Sequence, residues 1–447
     1  MRWLVNLRAF QYLLILPGLV VFILVILTGI YGNPNGAHNL SIVFVWILWW
    51  FFLIAFLVPF GSRVWCAVCP IPAAGEWLQR GALIGKPTVE RPRGLGLKWP
   101  RRLRNIWFST FFFMGIAIFS IYLTTTPVVT AVLMALLIGL AVAVHLVFEK
   151  RTFCKYVCPV GGFLSLYSMT SILEVRARDP TICEAHVGKE CVKGSNCGFG
   201  CPWMNYPGGL DRNNYCGLCL ECVKACPYDN MTVRTRPFGR DLLKPHRETA
   251  EAFKSLIMLN LALLYLVVLL GPNAWLKDWA SMRAGLPSYL LFVAIFFGSS
   301  LLLMPGAFFA FSWLAKRVGG LKGVPVKRVF VTYAYALVPL GLAAWIAFSI
   351  PLMQINWAYI PQAAADPYGW GWDLLGLKSF SWNPFLPGLV PFVQASVLLL
   401  GLAYSVFIGS RIANELTPDR ARARRSFLPI AAYLNLVSLG FLWIFIG

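Results

Sequence analysis

The amino-acid sequence predicts an all-α polytopic membrane protein with a cytoplasmic N-terminus and one small polar domain inserted between its helices. Three observations predict it. Of 447 residues, 58% are hydrophobic and only 13% charged, far from the balance of a soluble domain. Apolar stretches of about 20 residues recur along the chain, each enough to cross a bilayer core of about 30 Å as a helix. All twelve cysteines fall between residues 66 and 226, in segments that separate those stretches.

About nine transmembrane helices are expected, at 10–30, 40–60, 106–125, 128–148, 253–271, 288–315, 329–350, 388–408 and 427–446. Lipid offers the backbone no hydrogen-bond partner, so these are helices rather than open strands. The first stretch has the basic start of a signal peptide (Arg2, Arg8). Its apolar run is too long for one, and no small-x-small cleavage site follows in Tyr31-Gly32-Asn33-Pro34-Asn35. It reads as a retained helix. Pro305, Pro339 and Pro391 fall inside spans, where neighbouring helices satisfy the freed carbonyls.

Threaded through nine spans, all but three of the 39 Lys and Arg lie on the cytoplasmic side; the exceptions are Lys277, Arg283 and Lys378. This positive-inside bias accounts for the formal charge of +21 without any nucleic acid. The cytoplasmic residues include Arg101, Arg102 and Arg104 and the run Arg420 to Arg425, and the charged turn from Thr417 to Ser426 fits contact with anionic lipid. The expected organisation has three parts. Residues 1–148 form a four-helix membrane domain and 149–252 a cytoplasmic cysteine-rich domain. Residues 253–447 form a five-helix membrane domain with an aromatic outer loop at 351–387.

Disulfides belong to oxidising compartments, so cysteines confined to the cytoplasmic side point to metal. The run Cys216-Gly-Leu-Cys219-Leu-Glu-Cys222-Val-Lys-Ala-Cys226-Pro227 is C-x2-C-x2-C-x3-C-P. It folds three thiolates around one cubane and sends the fourth to a neighbouring cluster. Structural zinc uses two separated pairs instead. Upstream lie Cys183, Cys191, Cys197 and Cys201-Pro202, with stretched gaps. Crossed ligation assigns one [4Fe–4S] cluster to Cys183, Cys191, Cys197 and Cys226, and a second to Cys216, Cys219, Cys222 and Cys201. At Cys183, the ligand in the most stretched position, the alternatives are His186 or an altered cluster type. The two clusters make 149–252 a small α+β, ferredoxin-like domain whose order depends on them.

The remaining cysteines form a repeat: Arg63-Val-Trp-Cys66-Ala-Val-Cys69-Pro70 after the second span, and Arg151-Thr-Phe-Cys154-Lys-Tyr-Val-Cys158-Pro159 after the fourth. Spacings of three and four put both thiols of a pair on one side of a helical turn. If the duplicated hairpins face each other, Cys66, Cys69, Cys154 and Cys158 hold a third iron–sulfur or metal centre. Otherwise they are reduced or transiently redox-active thiols.

Four spans, two Cys-Pro motifs at inner helix ends and a trailing two-cluster segment make residues 1–250 resemble the NapH/NosR/CcoG-type membrane polyferredoxins. The resemblance implies an iron–sulfur electron-transfer subunit of a bacterial-type inner membrane. Such a subunit relays electrons between a cytoplasmic donor or the quinone pool and a membrane or exported reductase. It also carries the competing reading: a maturation factor that reduces or delivers copper through the membrane-edge cysteine pairs. Cys154 and Cys158 match the family spacing; Cys66 and Cys69 are one residue closer. No outer loop is large enough for an exported flavin domain.

Walker, Rossmann and nucleophile-elbow patterns are absent, so no catalytic residue is assigned, and the expectation is a redox carrier within a quinone-linked complex. Of four histidines, His38 lies near the outer surface and His186 and His246 in the cytoplasmic domain. No opposed intramembrane pair exists for haem b, and no haem is expected. His145, inside a span, is either a quinone-side proton group or a partner of a neighbouring helix. The outer loop carries Trp357, Tyr359, Tyr368, Trp370, Trp372 and Trp382 with Asp366 and Asp373, an aromatic belt or a cap that docks an exported partner.

Overall fold

The computed structural model describes residues 9–84, 93–270, 274–377 and 380–446; Arg2, Arg8 and Lys378 lie outside these. The fold is mostly helical. Among the described residues, eight helices are long and apolar enough to cross a membrane: α1 (Phe10–Tyr31), α2 (Leu40–Gly61), α3 (Pro127–Val147), α4 (Thr249–Leu269), α5 (Leu286–Val318), α6 (Leu337–Asn356), α7 (Pro387–Glu415) and α8 (Arg420–Ile446). The stretch expected as a third span, 106–125, is instead two short helices, Trp107–Ala117 and Ser120–Thr125. The stretch expected at 329–350 is interrupted too: Val326–Ala334 ends and α6 begins three residues later. Arg420 to Arg425, expected in a turn, form the start of α8, where Asp419 accepts from the N–H groups of Ala421 and Arg422. An acidic cap there offsets the helix dipole.

The chain divides into two compact units, one made of Met1–Ile30, Phe56–Phe113 and Val128–Phe238, the other of Tyr31–Ala55, Met114–Pro127 and Gly239–Gly447. In the first, α1 packs on the residues that follow α2: Phe22 lies 6.2 Å from Trp65 and Tyr12 5.5 Å from Trp77. The cysteine-rich segment is closed by two antiparallel strands, β1 (Leu173–Ala177) and β2 (Met231–Thr235), with Val175 opposite Val233. Val175 and Met231 form a small core with Cys191, Cys216 and Cys222. So few apolar side chains leave much of this segment's order to its cysteines.

In the second unit α6 is the centre, buried almost throughout. Trp345 donates to the Met258 carbonyl of α4 at 3.0 Å and meets Trp50 edge-on at 5.9 Å. Leu340, in the first turn of α6, donates its N–H to Ser405 Oγ of α7. Along the expected outer loop, a short helix (Tyr359–Ala365) precedes a turn in which Tyr368 stacks on Trp370 at 4.3 Å. Asn33 and Leu40 donate N–H groups to the carbonyls of Tyr368 and Pro367. Asn33, His38, Gln362 and Asp366 line a cavity there.

Candidate iron–sulfur sites

The two cysteine-pair repeats share more than sequence. In each, a non-glycine residue of positive φ precedes the arginine: Ser62 at 59° and Lys150 at 49°. A short helical segment carrying the first cysteine follows. Then comes the second cysteine in extended conformation, and Cys-Pro leads into a new helix, Ala73–Arg80 or Pro159–Tyr167. The one-residue difference in spacing is absorbed by the backbone. Val64–Val68 is α-helical, whereas Phe153–Val157 is a π-helical turn, the device that holds one extra residue per turn.

The four thiols of these repeats are buried, at 6–8% exposure, and close enough to act on one another electrostatically: Cys154 feels Cys158, Cys66 and Cys69, and Cys69 feels Cys158. Burial drives the Cys154 and Cys69 thiols upward, and it pushes Cys158 up to about 12 against the lowering effects of the Gly161 N–H and Arg63. Thiolates form here only with positive charge at hand. The arginines supply some of it. Both are wholly buried, and each crosses to the opposite repeat: Arg63 Nη2 lies 3.5 Å from the Cys154 carbonyl and Arg151 Nη1 2.6 Å from the Cys66 carbonyl. Arg151 also binds Glu76 through Nε and Nη2, at 3.0 and 2.7 Å. Arg63 has no carboxylate partner among the described residues.

The cysteine-rich segment provides two further sets. Cys201, Cys216, Cys219 and Cys222 line one cavity, together with Trp203 and Gly217. Cys183, Cys191 and Cys226 line another with His186, Tyr228 and Asn230. Asn230 donates its side-chain amide to Cys183 Sγ at 3.2 Å and its backbone N–H to Cys226 Sγ at 3.3 Å. Cys197 is exposed and does not line this cavity; His186 does, with Nε2 2.8 Å from Glu190 Oε2. Among the described residues, no three His, Cys, Asp or Glu side chains close to the spacing of a single-ion site. Cysteine sets of three and four around cavities suit an iron–sulfur cluster, whose irons share the ligands out.

The segment is gripped where the Cys201 set begins. Lys150 Nζ donates to the carbonyl of Cys201, the Arg151 N–H to that of Pro202, and Lys155 Nζ to that of Trp203. Gln11 of α1 donates to the Cys219 carbonyl at 2.8 Å, and Arg63 Nη1 to that of Asn214. The arginines therefore stand between two cysteine sets. Arg63 acts on Cys158 and Cys216, and Arg151 on Cys69, Cys154 and Cys219.

His145 is buried in the last turn of α3. Its Nδ1 lies 2.6 Å from its own helix's Ala141 carbonyl, its ring packs on Gly75, and its Nε2 has no partner among the described residues. Sequence reasoning missed the Arg63–Trp203 stack and the cross-repeat arginine bonds. It also missed the buried pair of ionisable residues in α4, Glu251 and Lys254, where Tyr335 donates to Glu251.

Family comparison supplies the remaining observation. The model of a 4Fe-4S binding domain family matches residues 42–92 and 130–173. The chain carries a 4Fe–4S binding domain. The matched residues contain both cysteine-pair repeats and end before Cys183. Over 86 residues the chain is 30% identical to an uncharacterized protein of Methanocaldococcus jannaschii, a stretch that is 19% of this chain and 32% of that protein. The chain thus spans about a third of the length of this relative. No solved structure matches.

Proposed function

We propose that this protein is a membrane-bound electron-transfer subunit carrying three [4Fe–4S] centres, of the NapH/NosR/CcoG type. The centres are assigned to Cys183, Cys191, Cys197 and Cys226; to Cys201, Cys216, Cys219 and Cys222; and to Cys66, Cys69, Cys154 and Cys158. A bound cubane supplies one-electron redox chemistry. The chain's own part is to bury the thiols, supply counter-charge and hold the sets in sequence. The carrying observation is the grip of Lys150, Arg151 and Lys155 on the carbonyls of Cys201, Pro202 and Trp203. It docks one cysteine set against the repeat that carries another, as an electron relay needs.

The electrons pass between a cytoplasmic donor or the quinone pool and a membrane or exported reductase. The cysteines face the cytoplasm of a bacterial-type inner membrane, the side favoured by the Lys and Arg distribution. His145, with its buried and unpartnered Nε2, is the residue to exchange a proton with a quinone. The aromatic turn at 368–372 is the place for an exported partner.

The test is iron and sulfide analysis with EPR on anaerobically purified protein. About twelve irons per chain are expected, falling by about four in Cys69→Ser and in Cys154→Ser. About eight irons, unchanged by those substitutions, removes the membrane-edge centre, and protein without iron removes the whole reading.

A further inference from the structure

Trp203 has one polar atom, the indole N–H. The residue is 1% exposed, and Nε1 has no hydrogen-bond partner among the described residues. A buried N–H without an acceptor is costly, so one left open in a folded site points to a missing partner. Its position says which. Trp203 lines the cavity ringed by Cys201, Cys216, Cys219 and Cys222. The N–H edge of its indole lies against the Cys216–Cys219 loop, so closely that a Cβ on Gly217 would sit 2.2 Å from Nε1. Only glycine leaves room for the ring there. The opposite requirement is also met: the Arg63 guanidinium lies 4.3 Å over the ring, where a cation draws electron density from the indole and makes its N–H a stronger donor.

We propose that Trp203 donates its indole N–H to a sulfur of the centre held by Cys201, Cys216, Cys219 and Cys222, raising the reduction potential of that centre alone. The inference rests on the assignment of these four cysteines to a cluster. Hydrogen bonds to sulfur favour the more negative, reduced state and are among the determinants of cluster potential. Among the described residues no tryptophan lines the cavity of Cys183, Cys191 and Cys226, so the bond sets this centre apart from that neighbour. Trp203 acts by tuning and positioning; it exchanges no electron itself.

The test is an EPR-monitored redox titration of the full-length protein, wild type against Trp203→Phe. The signal belonging to this centre is identified as the one altered in Cys216→Ser. Trp203→Phe keeps a ring under Arg63 and removes the donor. The expected result is unchanged iron and sulfide content, a more negative midpoint for this one signal, and unmoved midpoints for the rest. If Trp203→Phe does not assemble, the same titration is run with a benzothienyl-alanine at position 203, whose ring sulfur replaces the N–H within an isosteric bicycle. An intact cluster with an unmoved midpoint in either protein overturns the inference. Wild-type protein whose iron content is unchanged by Cys216→Ser overturns instead the ligand assignment beneath it.

Discussion

Arg151 donates from Nη1 to the main-chain carbonyl of Cys66, 2.6 Å away in the other cysteine-pair repeat. Arg63, its counterpart, reaches back to the carbonyl of Cys154. The exchange ties two hairpin ends that are distant in sequence, and it buries two cations. Their charges are met differently. Arg151 is held by Glu76, whereas Arg63 has no carboxylate among the described residues and faces cysteines and the Trp203 ring. A buried cation without an anion is costly, and the negative charge of a thiolate-bound cluster is what these cysteines would bring to it.

Removing Arg151 leaves Glu76 buried with only Arg80 beside it. Arg151→Met is therefore expected to destabilise the fold by about 3–5 kcal/mol, the cost of breaking one side of a buried pair. Glu76→Gln with Arg151→Met together should cost clearly less than the sum of the single changes. Thermal unfolding in detergent measures both. Additive effects would mean that the two side chains do not form a coupled pair.

The same pair gives the protein an acid limit. Burial pushes the Glu76 carboxyl upward, but Arg151 and Arg80 outweigh it and hold the carboxyl at about 2. A folded-state value below the unfolded one stabilises the protein above the unfolded pKa of about 4.3. That contribution is lost as pH falls toward 2. It is worth about 3 kcal/mol. The stability gap between wild type and Glu76→Gln should be constant above about pH 5 and close as pH falls below 4. A gap that is independent of pH would show that Glu76 is not held ionised. Acid lability of the clusters is common to both proteins and cancels in the comparison.

The sequence makes most of the long helices legible because apolar runs are written locally, as are the cysteine spacing and the Cys-Pro signature. Glu76 and Arg80 are an i, i+4 ion pair, a spacing visible locally, yet the dominant partner of Glu76 is Arg151, 75 positions away. No local pattern marks it. The π-helical turn at Phe153–Val157 is similarly hidden, since one inserted residue can be taken up by a loop as readily as by a wider turn. The break in 106–125 has no proline or glycine at Ile118-Phe119 to announce it, so apolarity alone reads straight through.

Cys197 departs from its set. It is exposed, while Cys191 is buried and Cys183 and Cys226 partly so around the cavity. An iron held at such a corner meets oxidants first. Brief exposure to air is expected to remove about one iron per chain and give the EPR signal of a [3Fe–4S] cluster. Cys197→Ser should lack that iron before any exposure to air, and show the same signal once mildly oxidised with ferricyanide. If the first iron lost comes from the set around Cys219 instead, solvent access at Cys197 does not govern lability.

The second unit offers a test of packing that leaves iron out of account. Gly401 of α7 faces α6, where an added Cβ would lie 2.2 Å from Ala343 Cβ and 3.3 Å from the Pro339 carbonyl. Small residues at such crossings let two membrane helices approach closely, and their contact is mostly dispersion. A larger side chain must push the helices apart, disturbing also the bond from the Leu340 N–H to Ser405. Overpacking of this kind costs about 1–3 kcal/mol. Gly401→Val should therefore lower the thermal midpoint in detergent by several degrees. Every cysteine lies in the other compact unit, so iron content and EPR signals should not change. Iron lost in step with stability would show instead that the two units unfold together.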